Sequence, residues 1–211
     1  PIDFDSDNDG LSDGVEAGLT EPKVSIYPVS TDLNIFIADA DPSSRTNPLS
    51  DDSDGDALSD GLEDQNRDGR RDPGETDPLQ FDSDSDGMDD GWESSFSDCD
   101  PNTSPPDALN PLDGRIDADG DGLTSLQEYQ LLLIEGDYVV RKRTHPCKSD
   151  TDEDGLLDGV EVRSSYSDGP SDANNPDSDG DGLLDGVEDA NQDGAWDPDR
   201  ETDPLTADTD G

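Results

Sequence analysis

Apolar residues occur in this chain mainly as pairs four positions apart, and long polar stretches separate the pairs. The pairs are Leu11 and Val15, Leu58 and Leu62, Met88 and Trp92, Leu156 and Val160, and Leu183 and Val187. A spacing of four places both members of a pair on one face of a short helix. Because glycine stands within each pair and aspartate or glycine follows it, we predict helices of one or two turns with small local cores. We interpret Trp92 and Trp196 in the same way.

Three segments depart from this pattern. Residues 123–136, LTSLQEYQLLLIEG, have apolar side chains near the helical period and end at Gly136, so they predict a longer helix. Residues 23–37, KVSIYPVSTDLNIFI, predict two short strands around Ser30, Thr31 and Asp32, a β-hairpin inside an insert that spans 17–51. Residues 135–143 form a second insert with the densest positive charge, which we interpret as a local counter-charge rather than a docking site.

The composition is too polar for a sizeable core. The chain has 211 residues, 58 acidic against 12 basic side chains, a net charge of −46 and 27% hydrophobic residues. Composition alone therefore predicts disorder. The negative charge disfavours nucleic acid and anionic lipid as partners. The longest apolar run, residues 131–134, is far too short for a membrane span.

The acidic residues are regularly spaced, which distinguishes the chain from a disordered acidic tail. The pattern D-x-[DN]-x-D-[GA]-x-x-[DS] begins eight times, and a ninth copy at Asp208 is cut off by the end of the sequence. In seven copies a glutamate follows eleven residues after the first aspartate, whereas the eighth has Arg200 there and Glu201 one place later. Because the sequence starts and stops inside this pattern, we interpret it as a fragment or a mature region.

The repeat also has a larger organisation. Residues 52–81 and 177–207 are near duplicates, and each carries two copies of the pattern head to tail. A T-x-P phrase recurs six residues before a copy, beginning at Thr46, Thr76, Thr144 and Thr202. We predict that the phrase forms a turn leading into the next copy, with His145 as one of its turn residues.

The spacing of each copy matches a calcium loop of about twelve residues. Calcium takes about six to eight oxygen ligands, and such a loop supplies them from positions 1, 3, 5 and 9, a backbone carbonyl at position 7 and a bidentate glutamate at position 12. Position 6 makes a sharp turn and prefers glycine. The eight loops therefore predict about eight or more bound calcium ions (Ca2+) as the cofactor.

The predicted ligands form one set for each position of the loop. Position 1 is Asp5, Asp52, Asp64, Asp82, Asp117, Asp150, Asp177 and Asp189. Position 3 is Asp7, Asp54, Asn66, Asp84, Asp119, Asp152, Asp179 and Asn191. Position 5 is Asp9, Asp56, Asp68, Asp86, Asp121, Asp154, Asp181 and Asp193. Position 7 is Leu11, Leu58, Arg70, Met88, Leu123, Leu156, Leu183 and Ala195. Position 9 is Asp13, Asp60, Asp72, Asp90, Ser125, Asp158, Asp185 and Asp197, and position 12 is Glu16, Glu63, Glu75, Glu93, Glu128, Glu161, Glu188 and Glu201.

Some positions depart from the ideal loop. Ala57 replaces glycine at position 6 and should strain or weaken its site. Asn66, Asn191 and Ser125 still offer an oxygen to a cation. Zinc is disfavoured because the chain has one histidine and two cysteines, and magnesium because it demands a tight octahedron and keeps its waters.

The close carboxylates determine the expected fold. They repel one another strongly at the low effective dielectric of a site, so we predict that bound cations hold the chain folded and that it opens without them. The predicted class is mostly irregular loop with short helical turns, an elongated calcium-stabilised repeat array with a small β-hairpin insert. We divide the chain into a first calcium repeat at 1–16, the insert at 17–51, calcium repeats at 52–98, a disulfide-flanked EF-hand-like repeat at 99–149 and calcium repeats at 150–211.

Cys99 and Cys147 flank the loop at Asp117. Two cysteines in a chain that needs calcium indicate a disulfide and an oxidising compartment. The alternative is two unrelated thiols, one of which pairs outside this sequence. A bridge would close 47 residues and stabilise the fold by roughly 3–4 kcal/mol.

The chain resembles the thrombospondin type 3 repeats of bacterial surface and secreted proteins in the phrases DSDNDGLSDGVE, DSDGDALSDGLEDQNRDGRRDPGETDP and DSDGDGLLDGVEDANQDGAWDPDRETDP. The resemblance covers most of the chain. It implies Asp-rich loops wound around a string of calcium ions, more than one ion per repeat and cystines that staple neighbouring repeats. It also implies an extracellular or cell-surface protein that serves as a spacer, adhesion or matrix module.

We therefore expect an extracellular structural or adhesion module, a calcium-stiffened rod, coat or filament element, that binds other surface proteins or copies of itself. The alternative is a calcium-stabilised linker of a secreted enzyme, and flanking sequence would discriminate between the two. Catalysis within the chain ranks lowest because no nucleophile constellation, phosphate loop or zinc motif is present. Dockerin-like pairing is disfavoured because dockerins carry two tandem loops with helices.

Overall fold

The computed structural model describes residues 4–22, 36–100, 103–135 and 138–207, with backbone alone for 133–135 and 138–140. This part of the chain is mostly irregular loop with very short helices, as the sequence predicts. The helices are α1 Asp13–Glu16, α2 Asp60–Glu63, α3 Asp90–Glu93, α4 Ser125–Tyr129, α5 Asp158–Glu161 and α6 Asp185–Glu188, with a 3₁₀ turn at Asp113–Arg115.

Each α-helix begins at position 9 of a loop and carries the glutamate of position 12; five of the six end there, and α4 extends one residue further to Tyr129. Side chains fix the start of three of them. Ser12 accepts a hydrogen bond from the Val15 N–H at 3.4 Å, and Asp89 accepts one from the Trp92 N–H at 2.6 Å. The α4 helix begins with a capping box formed by Thr124 and Gln127.

All eight loops share one backbone conformation at two positions. Position 6 has a positive φ throughout, from 73° at Gly194 to 107° at Gly155. Ala57 adopts the same region at 77°, which is unfavourable for a residue with a Cβ and agrees with the strain expected there. Position 4 is also left-handed in every loop, even where it is not glycine, as in Asn8 and Glu153.

The helix predicted over 123–136 is wrong beyond Tyr129. The α4 helix ends there, and the following residues form strand β1, Leu132–Glu135, antiparallel to β2, Tyr138–Arg141. The physical reason is the partner: Tyr138, Val139 and Val140 favour strand conformation, and pairing gives the apolar run an alternative to a helix. The insert at 135–143 therefore supplies half of a β-hairpin.

The hairpin predicted around Ser30 falls mostly outside the described residues, and residues 36–39 are irregular. The ends of this insert are fixed by backbone hydrogen bonds. The Asp39 N–H donates to the Leu19 carbonyl at 2.9 Å, and the Ala40 N–H donates to the Asp68 carbonyl at 2.6 Å. The chain thus leaves the repeat after α1 and returns beside the loop at Asp64.

The chain forms two compact units. The first contains 1–97 and 107–111, and the second contains 98–106 and 112–211. Each unit has three loops that bear an α-helix, which we term main loops, and one helix-free loop, which we term a side loop. The main loops begin at Asp5, Asp52 and Asp82 in the first unit and at Asp117, Asp150 and Asp177 in the second; the side loops begin at Asp64 and Asp189.

The local cores form at some main loops and not at others. Leu11, Val15, Met88 and Trp92 are buried, as is Leu156, whereas both members of the pair at 183 and 187 are exposed and Leu62 is 61% exposed.

The side loops explain this difference for the loops at Asp5, Asp52, Asp150 and Asp177. A Cβ added at Gly69 would lie 2.8 Å from Val15 Cγ1, and one added at Gly194 would lie 3.2 Å from Val160 Cγ1. Each side loop therefore covers the apolar face of the preceding main loop and leaves that of its own main loop uncovered.

Candidate metal sites

The aspartate at position 1 shapes each main loop through hydrogen bonds to the backbone. In the loop at Asp52, one carboxylate oxygen accepts the Gly55 N–H at 2.6 Å and the other accepts the Ala57 N–H at 3.0 Å. Asp56 accepts the Leu58 N–H at 2.6 Å. These bonds turn the backbone around the carboxylates and bring positions 1, 3 and 5 together.

The structure gathers the predicted ligands of the main loops into tight acidic groups. Asp5, Asp7 and Asp9 each place a carboxylate oxygen within 4.8 Å of the others, and so do Asp52, Asp54 and Asp56. In the loop at Asp82, position 12 joins the group through Asp84, Asp86 and Glu93.

Many of these oxygens are buried without a hydrogen bond. Both oxygens of Asp7 have no partner, and at least one oxygen is unpartnered in Asp54, Asp119, Asp152 and Asp179. Burial, followed by repulsion from neighbouring aspartates, raises the pKa of Asp54 and Asp119 to about 6 and that of Asp152 to about 7. Such oxygens are costly to bury unless a cation or a proton meets them.

The glutamates at position 12 of the main loops are deeply buried. Glu63, Glu128 and Glu161 are no more than 1% exposed. Burial is the largest cause that raises the pKa of Glu128 to about 8 and those of Glu63 and Glu161 to about 9. One oxygen of Glu128 and one of Glu161 lack a hydrogen bond.

The T-x-P phrase has a role that the sequence analysis did not predict. Thr46 donates its hydroxyl hydrogen to Glu16 at 3.3 Å, and Thr144 donates to Glu128 at the same distance. Ser171 does the same for Glu161 at 3.2 Å. The hydroxyl thus holds one oxygen of the glutamate of the preceding main loop and leaves the other free for a ligand.

Position 9 is held by position 2 of its own loop. Asp60 accepts the Ser53 N–H at 2.8 Å and the Ser53 hydroxyl at 2.6 Å, and Thr151 makes the same two bonds to Asp158. The loop at Asp117 has lost both partners together: position 2 is Ala118, and Ser125 at position 9 instead donates to the Ile116 carbonyl. The matched residue types at positions 2 and 9 of each main loop were the sequence signal that could have revealed these hydrogen bonds.

Position 9 also faces the preceding main loop. Asp90 lies with Asp56 and Glu63 in a fully buried group whose carboxylate oxygens are within 4.8 Å of one another. Asp56 and Glu63 belong to one loop and Asp90 to the next, so consecutive main loops of the first unit share a candidate metal site. Sequence reasoning assigned Asp90 only to its own loop.

A second contact repeats between consecutive main loops within each unit. Asp9 accepts the Gly61 N–H at 3.0 Å, and Asp121 accepts the Gly159 N–H at 2.8 Å. The remaining two contacts of this kind join Asp56 to Gly91 and Asp154 to Gly186, each at 3.1 Å. The carboxylate of position 5 thereby ties one loop to the helix of the next.

The side loops use the same residue types differently. Glu75 accepts the Asn66 N–H at 3.2 Å and the Asp72 N–H at 2.8 Å, one with each oxygen. Glu201 likewise accepts the Asn191 and Asp197 N–H groups at 3.2 and 3.3 Å. Both predicted bidentate ligands therefore already have a hydrogen bond on each oxygen.

The disulfide predicted between Cys99 and Cys147 is present. These sulfurs lie near His145, a grouping that could hold a metal if the thiols were free, but the bond between them excludes that use. The His145 Nε2 is 3.1 Å from Asp98, and the hydrogen bond from His145, followed by that from Lys148, lowers the pKa of Asp98 to about 2.

The basic residues of the 135–143 insert have local partners. Lys142 pairs with Asp172 at 3.2 Å, and the Arg143 guanidinium carbon lies 3.9 Å from the centroid of the Tyr129 ring. These contacts support the interpretation of the insert as a local counter-charge.

No family model, curated protein or solved structure matched this chain when it was compared with known proteins. The likeness to thrombospondin type 3 repeats therefore rests on the sequence phrases alone. Among the described residues, no helix is long and apolar enough to cross a bilayer.

Proposed function

We propose that this chain is an extracellular structural or adhesion module whose main loops bind calcium and whose fold depends on the bound ions. The buried carboxylate oxygens without hydrogen bonds carry this proposal. Glu161 is the sharpest example, because it is fully buried and one of its oxygens has no hydrogen bond, and Glu63 lies within reach of two further buried carboxylates. A protein interior tolerates such a group in its charged form only when a cation compensates the charge.

The donor set favours calcium among the common cations. Every side chain that converges on these groups offers oxygen, and the glutamate at position 12 can bind through two atoms. Calcium accepts about six to eight oxygens in a flexible shell, whereas magnesium demands a stricter octahedron. Asp90 and its equivalents would add a ligand from the next loop, so an ion there would also join consecutive main loops.

The disulfide and the ion dependence together support an extracellular location. Disulfides persist in oxidising compartments and are rare in the cytosol. A module that relies on many weak acidic sites also needs a calcium-rich environment. The loop-to-loop contacts within each unit suit a spacer or adhesion role, because each bound ion would fix the position of the following loop.

Ion counting by native mass spectrometry tests the proposal directly. We expect the calcium-loaded chain to carry several ions and to lose them in EDTA, and Glu161→Gln to lose or weaken one ion. The substitution removes the charge but keeps the shape of a side chain that is fully buried. The proposal would be disproved by a wild-type chain that binds no calcium at millimolar concentration and has the same hydrodynamic radius with and without EDTA.

A further inference from the structure

We infer that the two side loops, 64–75 and 189–201, take up no cation and are closed instead by their own hydrogen bonds and arginine side chains. The inference rests on the proposed calcium function and refines it: six of the eight loops with the calcium spacing are ion loops and two act as cation-independent clasps.

The state of the glutamate at position 12 distinguishes the two classes. In the main loops, Glu16, Glu63, Glu128, Glu161 and Glu188 each have at least one buried oxygen without a hydrogen bond. In the side loops, Glu75 and Glu201 each bond two backbone N–H groups, from positions 3 and 9 of the same loop. Each oxygen of these two glutamates thus has a hydrogen bond from its own loop, so no cation is needed to satisfy it.

The residue at position 3 also differs between the main loops and the side loops. The main loops have aspartate there, and several of these aspartates have buried, unpartnered oxygens. Both side loops have asparagine, and the Asn66 amide nitrogen donates to Asp72 at 2.8 Å. The amide thus acts as a donor to position 9 and removes one negative charge from the loop.

In the first side loop, an arginine supplies the positive charge that an ion would otherwise supply. The Arg70 Nε donates to one oxygen of Asp72 at 2.9 Å, and its Nη2 donates to the other at 3.0 Å. This two-point contact is the strong form of an arginine–carboxylate pair. In the second side loop, Arg200 Nε lies 3.7 Å from Asp197, which occupies the same position as Asp72. Among the described residues, no side-loop carboxylate oxygen is buried without a hydrogen bond.

Each side loop contacts a defined segment of its own unit. The Ala40 N–H donates to the Asp68 carbonyl at 2.6 Å, and the Ser165 N–H donates to the Gly194 carbonyl at 2.7 Å. The Tyr166 hydroxyl also donates to Asp189 at 2.9 Å. Each side loop therefore binds the segment that follows the helix of the preceding main loop and covers the apolar side chain on that helix.

The near-duplicate stretches supply a matched experiment. Native mass spectrometry in calcium would compare Glu63→Gln with Glu75→Gln in the first stretch, and Glu188→Gln with Glu201→Gln in the second. We expect the two main-loop variants to lose or weaken one ion each, and the two side-loop variants to keep the wild-type number. Loss of an ion from Glu75→Gln or Glu201→Gln would overturn the inference while leaving the calcium proposal intact.

A measurement without substitution keeps the inference testable if a variant fails to fold. Crystals of the full chain grown with terbium in place of calcium should show an anomalous peak among Asp52, Asp54 and Asp56 and none among Asp64, Asp68 and Glu75. A peak inside either side loop would refute the inference that these loops take up no cation. A wild-type chain with no ion anywhere would instead refute the proposed function.

Discussion

At the scale of single residues, glycine at position 10 proves to be a packing requirement. From the sequence alone, this glycine is expected only to limit the length of the helix. In the structure, a Cβ at Gly61 or Gly91 would collide with the carbonyl oxygen of the position-5 aspartate of the preceding loop, and one at Gly186 would lie 2.6 Å from the Asp154 carbonyl oxygen. Real Cβ atoms do not approach this closely, so only glycine allows consecutive main loops to pack.

The corresponding prediction compares two glycines of the same unit. Gly61→Ala should lower the free energy of unfolding in calcium by about 1–3 kcal/mol or more, because the new methyl group must displace backbone. Gly14→Ala is the matched control, since the nearest atom to its Cβ would be Leu19 Cδ1 at 3.8 Å. Alanine favours a helix, so the control should be neutral or slightly stabilising. Urea unfolding measures both, and equal effects would contradict the packing argument.

The grouping of acidic side chains within a loop was predictable because the spacing of a calcium loop brings positions 1, 3 and 5 together. The structure places Asp5, Asp7 and Asp9 together as that spacing requires. The sharing of Asp90 with the preceding loop was not predictable from one loop alone. It depends on a contact between segments, about which a local motif carries no information.

At the scale of secondary-structure elements, the one-turn helices follow from the sequence and the hairpin does not. Position 9 starts each short helix, and position 12 ends all of them except α4, which extends to Tyr129; the repeat specifies both positions. The apolar run after Tyr129 satisfies a helical period and a strand equally well. The pairing of Leu132 with Arg141 and of Glu135 with Tyr138 decides between them, and that pairing is a tertiary fact.

We predict that the disulfide stabilises the second unit. It fixes Cys147, whose N–H donates to His145 Nδ1 at 3.2 Å, in the turn that leads into the loop at Asp150. Replacing both cysteines by serine should lower the free energy of unfolding of the second unit by roughly 3–4 kcal/mol, because the unfolded chain gains freedom. The number of bound calcium ions should not change.

Urea unfolding in calcium measures the loss of stability, and reduced wild-type protein is the control for the serine side chains. The bridge would be irrelevant to the fold if oxidised and reduced wild type unfolded at the same urea concentration.

At the scale of the whole molecule, the fold places acidic side chains where other proteins place apolar ones. Five of the twelve largest fully buried side chains are glutamates of position 12. With a net charge of −46, the chain cannot bury these groups in charged form without cations. The composition, which alone predicts disorder, is therefore reconciled with an ordered chain by ions that we propose to be calcium.

The direction of the pKa changes predicts how the metal-free chain responds to pH. Burial raises the pKa of Glu16 to about 8 and that of Glu63 to about 9, from a usual value of 4.5. Below pH 4.5 the carboxyl is protonated in both the folded and the unfolded state, so no penalty arises. As the pH rises from 4.5 to about 9, the unfolded chain releases a proton that the folded chain retains, and the folded state loses stability.

Small-angle X-ray scattering in EDTA should therefore show a larger radius of gyration at pH 8 than at pH 4.5, moving toward the about 50 Å expected for an unfolded chain of this length. With excess calcium the difference between the two pH values should disappear, because the ion neutralises at pH 8 the oxygens that protons neutralise at pH 4.5, and protons lower the affinity for the ion as the pH falls. Calcium should thus compact the chain at pH 8 and have little effect at pH 4.5. A metal-free chain equally compact at both values would show that something other than cations or protons neutralises the buried carboxylates.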